Sequence, residues 1–142
     1  MDETDQALLA ALAENARAPA ATLARRLGLA RSTVQARIER LERSGHIAGY
    51  TLRPGPALRP PLRATVLVSI EPRAGPAVLA RLKSLPAVEV VHTTSGRCDL
   101  LVQLSAASTE ALDDTLDRIG ETRGVRGSES LIHLATKLDR TR

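Results

Sequence analysis

Two short apolar stripes separated by a glycine restrict what this chain can fold into more than any other feature. In LARRLGLARSTVQARIERLERSGHIAGY, residues 23–50, Leu23 and Leu27 stand one helical turn apart and the stripe stops at Gly28. Val34, Ile38 and Leu41 then recur at helical spacing until Gly45. Glycine tolerates the left-handed backbone at a helix end, so both glycines read as stops. The pattern predicts a helix ending at Gly28, a tight turn, and a second helix from Arg31 to Ser44. Two helices joined by a short glycine-containing turn make a helix-turn-helix.

The second helix carries Ser32, Ala36, Glu39 and Arg43 opposite its apolar stripe, flanked by Thr33, Gln35 and Arg40. Between Ala20 and Ser44 six arginines (25, 26, 31, 37, 40 and 43) face two glutamates (39 and 42), a local excess of four positive charges. A helix fits the major groove of duplex DNA, and the N-terminal residues of a recognition helix reach base edges. Ser32, Thr33, Gln35 and Ala36 are therefore the candidate base readers. Glutamine pairs with adenine through two hydrogen bonds, and alanine touches a thymine methyl. Arg31, Arg37, Arg40 and Arg43 are the candidate phosphate partners, which set register and affinity but not sequence. The same spacing also describes a solvated basic helix with no partner.

Composition narrows the nucleic-acid reading. The chain has 142 residues with one Tyr and no Trp or Phe, so its cores must be built from Leu, Val, Ile and Ala. Recognition of single strands or RNA by stacking on aromatic side chains is disfavoured for the same reason. The net charge of +4 suits nucleic acid and is also ordinary for an Arg-rich chain. One cysteine, Cys98, excludes an internal disulfide or a cysteine-based metal cluster. His46, His92 and His133 lie far apart and form no metal-spaced pair, so no metal or cofactor is expected. No Gly-rich phosphate loop, paired catalytic carboxylates or nucleophile–base set is present. No apolar run reaches the length of a membrane span, and the acidic N-terminus has no signal-peptide pattern. A soluble cytoplasmic protein that is not an enzyme is expected.

Taken in order, the chain begins with a helix predicted over Thr4–Ala16, capped by Thr4 or Asp2 and apolar at Leu8, Leu9 and Leu12. Its acidic residues are expected to face away from DNA. Pro19 suits the first turn of the next helix. His46–Leu52 alternates weakly and reads as a wing strand, with the lone aromatic Tyr50 expected in the core and a phosphate contact as the alternative. Half of the eight prolines fall in PGPALRPP, residues 54–61, an extended spacer. The expected division is therefore a winged helix-turn-helix over 1–53, a linker over 54–61 and a second domain over 62–142.

From Leu62 the pattern changes. LRATVLVSIE is a β-branched strand, followed by a helix over Pro76–Ser84 with Val78, Leu79 and Leu82 inward. VEVVHTT and CDLLVQL flank an SGR turn and read as a hairpin. Ser108 caps a helix carrying Leu112, Leu116 and Ile119, and Val125–Lys137 reads as a last strand. The order βαββαβ is the ferredoxin-like arrangement, and the fold class is α+β. Its two helices cover one face of the sheet, and the aliphatic character of the other predicts a dimer.

GLARSTVQARIERLERSGHIAGY resembles the winged-helix motif of the Lrp/AsnC (feast/famine) transcriptional regulators. DETDQALLAALAENAR, SGRCDLL and GVRGSESLIHLATK resemble the same family in the same order, across nearly the whole chain. The resemblance implies a regulator of transcription that binds double-stranded DNA, and a second domain of the ligand-sensing and oligomerisation type. It implies homodimers assembling to tetramers or octamers, with an amino-acid effector held between dimers by the loop Thr94, Ser95, Gly96, Arg97, Cys98 and Asp99. Amide groups around Gly96 can hold a carboxylate, Asp99 can receive an ammonium group, and Arg97 can meet the effector or a neighbouring subunit. A plain hairpin turn, with Asp99 bonding its own backbone, is the alternative. The family often has a serine before each motif helix. Here Pro19 and Ala30 stand there, leaving Ser32 as an alternative cap. Where the family often has an aromatic, this chain has Cys98. Two rival functions remain: an enzyme resembling sirohaem decarboxylases, which share the domain pair, and an architectural DNA-binding protein with little sequence preference.

Overall fold

The computed structural model describes residues 1–139, so the last three residues of the expected second domain lie outside it. Its described residues form two compact units, 1–53 and 54–139.

The first unit consists of α1 (Glu3–Glu14), α2 (Ala20–Leu27) and α3 (Arg31–Arg43). Asp2, rather than Thr4, caps α1. Its carboxylate accepts from the Asp5 N–H at 2.8 Å, and the Asp5 carboxylate accepts from the Asp2 N–H at 3.1 Å. Gly28 ends α2 with φ 67° and ψ 34°, the left-handed conformation that glycine enters without strain. The Leu29 N–H then reaches back to the Ala24 carbonyl at 2.9 Å, which turns the chain and places Leu29 against the core. That core is aliphatic throughout: Leu8, Ala11 and Leu12 from α1, Leu23 and Ala24 from α2, Val34 and Leu41 from α3. Burying Val34 and Leu41 points the opposite face of α3 at solvent.

Three expectations fail in this unit. Helix α3 starts at Arg31 after Ala30, which makes no side-chain cap, so Ser32 does not take over the capping role. No strand forms over residues 46–52. Tyr50 is 53% exposed instead of buried, and its hydroxyl donates to Glu42 Oε1 at 2.8 Å. The small core between three helices is already filled by leucines, alanines and Val34, and the phenol finds a carboxylate on α3 instead.

The second unit contains β1 (Leu62–Ile70), α4 (Gly75–Lys83), β2 (Val88–Thr93), β3 (Leu100–Ala106), α5 (Thr109–Gly120) and β4 (Val125–Ile132). Strand β4 stops five residues short of the expected Lys137. The strands pair antiparallel in the order β2-β3-β1-β4, so each helix connects two strands that flank a third. Register places Val66 opposite Val102 and Ala64 opposite Leu104. These residues, with Val68 and Leu100, are buried against Val78 and Leu82 of α4 and Leu112 and Ile119 of α5. Period-two alternation sends Thr65, Leu67, Leu101 and Gln103 to the other face.

The turn into β4 depends on Gly124. Its φ is 98°, its carbonyl accepts from the Glu71 N–H at 2.8 Å, and an added Cβ would lie 2.6 Å from Ala74 Cβ and 3.2 Å from Val78 Cγ2. Backbone strain and overlap with α4 act together there. Gly124→Ala is expected to destabilise the fold by about 1–3 kcal/mol, read as a lower urea midpoint by far-UV circular dichroism. Gly127→Ala, where an added methyl meets open space, serves as the control and should leave the midpoint near that of the wild type.

Candidate nucleic-acid interface

The outward face of α3 gathers most of the residues singled out from sequence. Ser32, Thr33, Ala36, Arg37, Arg40 and Arg43 line a shallow concavity of about 490 Å³. Their spacing follows one side of the helix, as the inward anchors Val34 and Leu41 require. Arg31 and Gln35 are exposed on the same helix, outside that concavity. Ala30 offers no side-chain acceptor, so the first-turn N–H groups of α3 are left for solvent or for an anion.

The four arginines differ in their surroundings. Arg37 is 22% exposed, and its Nη1 donates to both Asp2 carboxylate oxygens, at 3.0 and 2.7 Å, and to Asp5 Oδ1 at 2.7 Å. Arg40 is 54% exposed, and its Nη2 donates to both Asp5 oxygens at 2.8 Å. Arg43 turns its Nε to the Glu39 carbonyl at 3.4 Å, and Arg31 stands outside the carboxylate network. Asp2 and Asp5, at the start of α1, bond to α3, because Asp5 is 1% exposed and a buried carboxylate requires a charged partner. In sequence Asp2 stood out only as a candidate cap, and Asp5 only as part of an acidic N-terminus. Their partners lie more than thirty positions away, beyond the reach of spacing arguments.

This network sets the acid response. The Asp2 amide, then Arg37, and then the nearby charge of Arg40 hold the Asp5 carboxyl down from 3.8 to about 2. Its hydrogen bond to Arg37, ahead of its bond to the Asp5 amide, lowers Asp2 as well. The folded Asp5 carboxyl binds a proton more weakly than it does in the unfolded chain. Its contribution to stability is therefore complete above 3.8 and is lost as pH falls towards 2. The stability difference between wild type and Asp5→Asn should shrink across that window in urea titrations at stepped pH. A constant difference would place the aspartate's effect outside its charge.

In the second unit, the hairpin between β2 and β3 is closed by a Thr94 N–H bond to the Asp99 carbonyl at 3.0 Å. Thr94 Oγ1 donates to the Cys98 carbonyl at 2.8 Å and lies 3.3 Å from Cys98 Sγ. Asp99 is tied to the end of β1 twice. Its N–H donates to the Val68 carbonyl at 2.9 Å, and its Oδ2 accepts from the Ile70 N–H at 2.8 Å. Arg97 approaches Glu129 of β4 at 3.5 Å, an exposed pair of small energetic weight. Arg97 and Cys98 line a depression of about 120 Å³ with Leu67, Ser69, Gly127, Ser128 and Glu129. Thr94, Ser95, Gly96 and Asp99 are not among its walls. Ser69, Ser128 and Glu129 escaped the sequence reading because pairing of β1 with β4 brings them there.

Comparison with known proteins places both units. Residues 1–42 match the AsnC-type helix-turn-helix domain, and residues 63–142 match the Lrp/AsnC ligand binding domain. The HTH-type transcriptional regulator LysM of Saccharolobus solfataricus is 34% identical over 137 residues, covering 96% of this chain and 95% of that protein. The structure of AsnC from E. coli superimposes with a TM-score of 0.91 at 27% identity, covering 100% of this chain and 97% of that one. A transcriptional regulator from Neisseria meningitidis, solved in complex with L-methionine, gives a TM-score of 0.91 at 26% identity over 98% of this chain and 93% of that one. This chain belongs to the Lrp/AsnC family of helix-turn-helix transcriptional regulators.

Proposed function

We propose that this protein is a sequence-specific DNA-binding regulator of transcription in the cytoplasm, tuned by an amino acid or related small molecule. The observation that carries the reading is the outward face of α3, where exposed base-reading candidates share one concave surface with arginines. Ser32, Thr33, Gln35 and Ala36 read base edges in the major groove, while Arg31, Arg40 and Arg43 meet phosphates. Arg37, held by two carboxylates, supports the helix more than it contacts DNA. In this reading residues 1–53 bind DNA, 54–61 connect, and 62–142 sense ligand and assemble subunits.

The uncovered sheet face supports a homodimer, since Leu67, Leu101 and Leu131 stand on it among Thr65, Gln103 and Glu129. Further assembly to tetramers or octamers would present several copies of α3 to one duplex. The L-methionine complex of the Neisseria relative supports an amino-acid effector, with the depression at Arg97 and Cys98 contributing to its site. A ligand shifts DNA affinity only to the extent that it prefers one assembly over another.

The test is binding to a duplex selected from a randomised library, against scrambled duplex, across a salt series. Tight, salt-sensitive and selective binding is expected, and Gln35→Ala should reduce selectivity about tenfold with little change on scrambled DNA. Salt-sensitive binding without selectivity would point to an architectural protein. No binding at low salt, with uptake of a coloured tetrapyrrole, would favour the enzyme resembling sirohaem decarboxylases. In the same assay, L-methionine should shift the affinity of the wild type, and Arg97→Ala should remove that shift while leaving ligand-free binding unchanged.

A further inference from the structure

We propose that Asp5 is a positioning residue for DNA recognition, holding Arg40 by one edge so that its remaining N–H groups are aimed at a phosphate. The proposal rests on the reading of α3 as the recognition helix. Three observations carry it. Asp5 sits almost out of solvent, and both its oxygens accept from the same Arg40 nitrogen, Nη2, at 2.8 Å. Arg40 is half exposed, and Nη1 and Nε make no bond to that carboxylate. Arg40 also stands on the ridge between two hollows. One is the α3 concavity with Ser32, Thr33, Ala36, Arg37 and Arg43, and the other holds Met1, Asp2, Asp5, Leu41, Ser44 and His46.

The planar guanidinium has donors on more than one edge, so one edge can stay on Asp5 while another meets DNA. A side chain oriented beforehand loses less rotamer freedom on binding, which favours the one register that places a phosphate opposite it. The carboxylates also offset charge. Asp2 and Asp5 neutralise Arg37 and Arg40, whereas among the described residues no carboxylate pairs with Arg31 or Arg43. Asp5 thus lowers indiscriminate attraction to any duplex and improves placement on the correct one.

The experiment measures full-length wild type, Asp5→Asn, Arg40→Ala and the double variant on the selected duplex and on scrambled duplex across a salt series. Asp5→Asn keeps an acceptor for the Asp2 amide and removes the charge. It is expected to steepen the salt slope by about one unit, to tighten binding to scrambled DNA, and to lower the selectivity ratio roughly tenfold. In the Arg40→Ala background the same substitution should no longer lower selectivity, and the change in slope that remains is the part due to Arg37, which Asp5 also holds. A parallel loss on both duplexes with an unchanged slope, or the same effect with and without Arg40, would overturn the proposal and leave Asp5 a helix cap. If Asp5→Asn does not retain the wild-type helix content, Asp5→Glu takes its place. That change keeps the charge but displaces it by one methylene, so selectivity should fall without a steeper slope; unchanged selectivity would overturn the proposal. Absence of selective binding by the wild type would instead refute the recognition-helix reading.

Discussion

A core without large side chains has little with which to orient a helix. The apolar core of the first unit is leucines, valine and alanines, whose contacts are non-directional. Such packing decides which face of α3 turns inward but holds its rotation and depth loosely. The bonds from Asp2 and Asp5 to Arg37 and Arg40 supply the missing direction. They join the start of α1 to the middle of α3 through charge-assisted hydrogen bonds that tolerate little displacement. The proposed recognition face lies on the helix that these bonds join to α1.

Placing that connection at the helix proposed to read DNA bears on that reading. A buried ion pair adds little net stability compared with apolar packing, and its better-attested use is to specify one arrangement. Here the arrangement being specified is that of the residues proposed to read DNA. The same carboxylates reduce the positive field of α3, which under the proposed reading lowers its attraction to phosphate in general. Arginines at this surface therefore cannot be treated as equivalent. Arg37 is absorbed into the scaffold, Arg40 is shared, and Arg31 and Arg43 carry the open charge.

The second unit solves its packing differently. Strict alternation along β1 and β3 assigns one set of side chains to the helices and leaves the other uncovered. Gly124 lets the last turn close against α4, and Asp99 fastens the β2–β3 hairpin to the end of β1. The polar loop noticed in the sequence is thereby divided. Thr94 and Asp99 maintain the hairpin, while Arg97 and Cys98 reach a depression completed by β1 and β4. The ligand-site proposal consequently moves from a contiguous loop to a surface built from the β2–β3 hairpin loop together with β1 and β4.

Elements whose cause is local were legible in the sequence. Gly28 stops α2, Ser108 caps α5, the βαββαβ order follows from changes in period, and the outward placement of Ser32, Ala36 and Arg43 follows from burying Val34 and Leu41. These outcomes depend on backbone conformation and on residues within a turn or two of each other. Resemblance to the Lrp/AsnC family rested on the order of such motifs, which is also a property of the linear chain. The wing strand and the burial of Tyr50 failed because each needed a partner that spacing cannot name, and Tyr50 found Glu42 instead. The sequence by itself determined the helices, the strands and the side of α3 that faces solvent. Only the tertiary structure decided which arginines pair with carboxylates and which residues meet Arg97, because those choices are made by contacts between groups distant along the chain.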